Sequence, residues 1–224
     1  MEETIKSGLV EKQALEETDL TLINRQALRR LKAEEVYAFR VAACDTREDR
    51  DHERFDAKAL GTLAKLYVGR PILLDHNWSS TVQTARIYAG AVEEDGDAKR
   101  LVLRAYMLRT DQTLPVIAAI EGGILREVSV GCAMGKALCS VCGADKRVAF
   151  CEHRPGLDYE GKHCVVTLAD ARDAYEVSFV AVPAQPKAGV VKRYGGEENG
   201  PGPETAELDR QKALALLELE ANRF

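Results

Sequence analysis

GILREVSVGCAMGKALCSVCG, residues Gly123–Gly143, decides how the chain is read. Its first half alternates as a strand does. Val128 and Val130 fall on one face, and Glu127, Ser129 and Gly131 on the other. Its second half carries Cys139-x-x-Cys142 followed by Gly143, the spacing of a metal-binding knuckle. A strand therefore runs straight into a metal-type turn, and a serine stands where an apolar residue would serve a buried strand better. A solvated strand face is the plain alternative for Ser129, since isolated serines are mostly polar surface. Gly131 lets another backbone or a substrate approach.

Outward from this stretch, the chain reads as strands with two intervening helices. EEVYAFRVAAC, residues 34–44, is a strand, and the charged DTREDRDHERFD, residues 45–56, is a loop. Asp56 caps a helix on which Leu60, Leu63, Ala64 and Tyr67 recur at helical spacing, with Gly69 ending it. PILLDHNW is a short apolar run that stops at polar residues. TARIYAGAVEED and KRLVLRAYML are strands joined by a tight turn. Asp111 to Ile120 is a short helix. HCVVTLADA and DAYEVSFVAVP are read as two further strands. The expected fold is α+β, a mainly antiparallel β-barrel with flanking helices, spanning residues 34–192. Residues 1–33 are read as an arm, mobile or a short helix over 1–30, 193–203 as a Gly/Pro-rich linker, and 204–224 as an amphipathic helix that wants a partner.

The 224 residues carry a net charge of −5, so nucleic-acid binding by bulk charge is not suggested. No apolar run approaches the roughly 20 residues that span a bilayer, and the first residues lack the apolar core of a signal peptide. A cytosolic protein is expected. Six cysteines in that compartment argue against a disulfide framework, and four of them lie between Cys132 and Cys151. Cys44, in an apolar run, reads as core. Cys139-x-x-Cys142 followed by Cys151-x-His153 suits a tetrahedral zinc ion, with His163 and Cys164 as spare ligands. Four protein ligands leave no open position, so this zinc would be structural. It would staple an insertion, residues 139–164, that is too small for a core of its own.

The chain has four histidines. If Ser129 is a nucleophile it needs a base, and His76 at the end of an apolar run is the first choice, with His52 second. A third group should hold the imidazole. Glu176, a carboxylate in an otherwise apolar strand, fits that role because burial is costly without a partner. Asp75 is the alternative for that role; a water-facing strand edge is the plain reading of Glu176.

At this point the chain resembles a family. FDAKALGTLAKLYVGRPILLDHNW, ARI, REVSVG and YEVSFVAVPAQPKA, in that order, look like the prohead (capsid-maturation) proteases of tailed bacteriophages. That family is similar in fold to the herpesvirus assemblins. The resemblance implies a serine endopeptidase with Ser129 as nucleophile, His76 as base and Glu176 as third member. It implies cleavage of scaffold and major capsid protein inside the procapsid, in the host cytoplasm, and possible self-association. The 46 residues between Ser129 and Glu176 exceed the simplest family pattern, and the excess is the cysteine-rich insertion. The competing reading is a non-catalytic capsid-assembly or scaffolding factor with a structural zinc site. A zinc-dependent nucleic-acid binder is disfavoured, because Lys146, Arg147 and Arg154 lack an aromatic stacking platform.

Overall fold

A computed structural model describes residues 15–194. In chain order the elements are α1 (Glu17–Asn24), β1 (Val36–Asp45), β2 (Glu53–Phe55), α2 (Ala57–Leu66), β3 (Pro71–Leu74), β4 (Ala85–Asp95), β5 (Ala98–Leu108), α3 (Leu114–Glu121), β6 (Val128–Cys139), β7 (Asp158–Tyr159), β8 (Lys162–His163), β9 (Val166–Phe179) and β10 (Gly189–Tyr194). The fold is mixed α+β and mostly sheet. The expected linker beyond Tyr194 and the expected helix at 204–224 lie outside the described residues.

One eight-stranded sheet runs β10-β1-β5-β4-β3-β9-β2, with β6 pairing the other edge of β9. Contrary to the expected barrel, this sheet is not closed. Among the described residues its two ends meet where Glu127 bridges Gly189, helped by the Val190 N–H on the Arg126 carbonyl at 2.8 Å and the Val128 N–H on the Ala188 carbonyl at 3.4 Å. Beyond that point the strands separate. β10 follows β1, with Gly189 opposite Ala42 and Tyr194 opposite Ala38, while β6 follows β9. At the meeting point a Cβ on Gly189 would lie 2.8 Å from the Arg126 carbonyl oxygen, so only glycine admits the approach.

The core lies between the curved sheet and α2. Leu60 and Leu63 of α2 are buried with Phe39, Ile87, Leu103, Val177 and Phe179. The helix starts where Asp56 accepts hydrogen bonds from the Lys58 and Ala59 N–H groups, satisfying otherwise orphaned donors. It sits so close to β4 that a Cβ on Gly90 would be 2.4 Å from the Ala64 carbonyl oxygen. A second apolar cluster joins Ile23 and Leu31 to Val36, Ala38, Tyr88 and Tyr106, which fastens α1 to the sheet.

Candidate active site and metal cluster

The register of β3 against β9 places His76. The two strands run parallel, with Ile72 opposite Val177 and Leu74 opposite Phe179. The Asp75 N–H continues the ladder to the Phe179 carbonyl at 2.9 Å. Then Asp75 and His76 both adopt left-handed backbone, at φ of 53° and 52°. Such conformations cost roughly 1–3 kcal/mol each in non-glycine residues and cluster at functional sites. Here they turn the chain back across β9. The His76 N–H donates to Ser178 Oγ at 3.1 Å, and the His76 Nδ1 lies 2.7 Å from Glu176 Oε1.

Glu176 is 2% exposed. Its Oε2 accepts from Ser178 Oγ at 2.5 Å, so both carboxylate oxygens are engaged. The other buried carboxylates among the described residues, Asp19 and Asp45, pair with Arg104 and Arg47. Glu176 pairs instead with the His76 imidazole. An ionised carboxylate only accepts hydrogen bonds, so a proton on Nδ1 serves this contact, and the neutral ring in that tautomer has its lone pair at Nε2. The imidazole side chain is 41% exposed. Glu176, and not Asp75, therefore holds the ring.

β6 brings Ser129 to the same face. In the β6–β9 ladder Ser129 lies opposite Ser178 and Gly131 opposite Glu176, and directly opposed residues share a face with Cβ atoms about 5 Å apart. Gly131 is required by the carboxylate itself, since a Cβ there would be 2.5 Å from Glu176 Oε1. The Tyr67 hydroxyl donates to the Gly131 carbonyl at 3.1 Å and fixes the strand from the core side. Ser129 is half-buried. No hydrogen bond joins its hydroxyl to His76 among the described residues; such pairs are commonly loose before substrate binds. Cys132, the nearest thiol on the strand, is no rival nucleophile: burial pushes its pKa up, and the thiolate is the reactive form. Beside the site, Trp78 is 70% exposed and its ring lies 5.5 Å from that of Tyr175.

Ser178 escaped the sequence reading. Its signal was present, because Glu176 and Ser178 are two apart on a strand and so face the same way. His52, the second choice as base, lies elsewhere, against Glu48 at 2.6 Å and with its ring 5.8 Å from that of His163.

From the end of β6 to the start of β9, Cys139, Cys142, Cys151 and His153 converge, their ligand atoms all within 4.8 Å of one another, and can hold a metal ion. Cys142 Sγ is 3.6 Å from Cys151 Sγ, which is 3.5 Å from His153 Nδ1. A tetrahedron with Zn–S of about 2.3 Å and Zn–N of about 2.0–2.1 Å has S···S edges of about 3.8 Å and S···N edges of about 3.5 Å. Gly143, at φ of 75°, closes the turn with its N–H on the Cys139 carbonyl. Burial alone would raise the Cys139 thiol, but the N–H groups of Cys142 and Val141 and the neighbouring thiols bring it down to about 6, as suits a ligand. Of the spare ligands, Cys164 is buried with its Sγ 3.9 Å from that of Cys139, and His163 turns to Glu48 and Asp158.

No family model, curated protein or solved structure matches this chain.

Proposed function

We propose that the chain is a serine endopeptidase of the prohead-maturation type, with Ser129 as nucleophile, His76 as general base and acid, and Glu176 as the group that orients His76. The observation that carries the reading is the buried Glu176, held between Ser178 and the His76 imidazole on the sheet face that also bears Ser129. Ser129 Oγ attacks the scissile carbonyl carbon as its proton passes to His76 Nε2. His76 then protonates the amine as the C–N bond breaks, and water, deprotonated by the same nitrogen, releases the acyl group. The positive charge on the imidazole in each step lies against the Glu176 carboxylate. Ser178 holds that carboxylate and the His76 backbone together, and acts as a positioning residue. The exposed Trp78–Tyr175 pair, two residues from His76 and one from Glu176, offers an apolar platform for the substrate chain.

The cysteine cluster is assigned to zinc, because three thiolates and an imidazole favour it and the S···S and S···N spacings suit its tetrahedron. With all four positions filled by protein, the ion is structural and stabilises the insertion. The substrates fitting the resemblance are phage scaffold and major capsid protein within the procapsid. The unjoined Ser129 and His76 favour a second reading, an assembly factor with no catalysis.

Incubating the purified full chain with scaffold and capsid subunits tests the choice. Ordered cleavage that disappears in Ser129→Ala is expected. Cleavage unchanged in that variant, or none by a folded wild type, refutes the protease.

A further inference from the structure

We propose that Glu48, His52 and His163 form a second metal site, one that takes zinc through two imidazoles and a carboxylate and clamps the cysteine-rich insertion to the loop between β1 and β2. The three ligand atoms lie within 4.8 Å of one another. His52 Nδ1 and His163 Nε2 approach the same oxygen, Glu48 Oε1, at 2.6 and 3.1 Å. Glu48 and His163 are 115 residues apart in sequence, so the fold, and not local chain geometry, assembles the group.

The other nitrogen of His163 supports the assignment. Nδ1 lies 2.7 Å from Asp158 Oδ1. Both ring nitrogens thus face carboxylates, whereas a neutral imidazole has a single N–H to donate; a protonated ring serves both. A divalent cation on Nε2 serves both as well. It leaves the Nδ1 proton for Asp158 and takes Glu48 as a second ligand, the carboxylate–histidine–metal arrangement that fixes ring orientation in metal sites. His52 is held in place independently. Its backbone is left-handed at φ of 57°, its carbonyl accepts the Val166 N–H at 3.0 Å, and its ring lies flush on Gly156 of the insertion, where a Cβ would be 2.5 Å away.

The donor set selects the ion class. Imidazole nitrogen with one carboxylate suits zinc and neighbouring transition metals, whereas calcium and magnesium favour oxygen donors. Three protein ligands leave a position for water, and the half-exposed side chains admit it. The site contains no thiolate, so it is spectroscopically separable from the cysteine cluster, and it does not depend on the protease reading.

Cobalt(II) titration of the metal-free, reduced full chain reads both sites. Thiolate-bound cobalt gives intense charge-transfer absorption, and the second site gives weak ligand-field bands only. The expected result is one equivalent without charge-transfer absorption, lost in His163→Gln and in Glu48→Gln while the charge-transfer equivalent is retained in both, with zinc counted in parallel by mass spectrometry. Asp158→Asn, which leaves all three ligands in place, should weaken that equivalent about 10–100-fold. The absence of any thiolate-free equivalent in the wild type overturns the proposal, as does its persistence at wild-type affinity in both His163→Gln and Glu48→Gln.

Discussion

Adding one methyl group at Gly131 tests the site without removing a polar atom. The new Cβ would stand 2.5 Å from Glu176 Oε1 and 3.3 Å from its carboxyl carbon, where real Cβ contacts stay beyond 3.0 Å. The carboxylate must retreat. It cannot do so freely, because Oε1 is bound to His76 Nδ1 at 2.7 Å and Oε2 to Ser178 Oγ at 2.5 Å. A retreat that clears the methyl group stretches the bond to His76, and a hydrogen bond to a charged group is worth about 1.5–3 kcal/mol. If that bond supports the imidazolium in the transition state, its loss slows reaction at Ser129 by roughly 10- to 150-fold. The rate of covalent labelling by a fluorophosphonate measures this without knowledge of the cleavage site. Gly61→Ala is the control: it sits in α2 with nothing within 4 Å of the new Cβ, so it should raise stability by about 0.5–1 kcal/mol and leave labelling alone. Labelling of folded Gly131→Ala within twofold of wild type would refute the reasoning.

Further outcomes follow from other contacts. Ser178→Ala strips a buried carboxylate oxygen of its donor and the His76 N–H of its acceptor; urea unfolding should show a loss of about 1–3 kcal/mol, with slower labelling. Chelation, or Cys151→Ser, should open residues 139–164 to limited proteolysis and lower the melting temperature, because metal affinity is folding energy in a segment without a core; zinc alone should restore the chelated wild type. The hydrogen bond from Arg47 holds the Asp95 carboxyl below its ordinary 3.8, so the pair stabilises the fold above that value and its contribution is lost as pH falls through the lower folded-state pKa. Arg47→Ala should therefore flatten the acid limb of the stability curve below about pH 4 and leave the curve parallel to wild type above about pH 6.

Much of this architecture is written in local pattern. The Asp56 cap, the apolar spacing of α2 and the strands β4, β5 and β6 all appear where the sequence pattern places them, with β6 running on to Cys139. The failures share one physical origin, dependence on partners distant in sequence. HCVVTLADA and DAYEVSFVAVP read as two strands because Asp170, Arg172 and Asp173 resemble a turn. They belong to one 14-residue strand, β9, which bends at Asp170 with φ of 58° and slips register against Ala133 and Met134. Charge is tolerated there because Asp170 and Arg172 face solvent. β2 hides in a charged loop because its order comes from parallel pairing with Val166–Leu168. Barrel closure depends on where β10 leaves β6, a register that no alternation pattern records. At the site, residue chemistry picked out His76 and Glu176, but their meeting across 100 residues rests on two consecutive left-handed residues, Asp75 and His76, neither of them glycine.

Locating a fluorophosphonate adduct by peptide mass spectrometry bears most directly on whether Ser129 and His76 work as a pair. A single adduct at Ser129 in the wild type, lost in His76→Gln while the far-ultraviolet circular dichroism is unchanged, is the expected result. A folded wild type that stays unlabelled at Ser129, or a His76→Gln variant labelled there as fast as wild type, would contradict it.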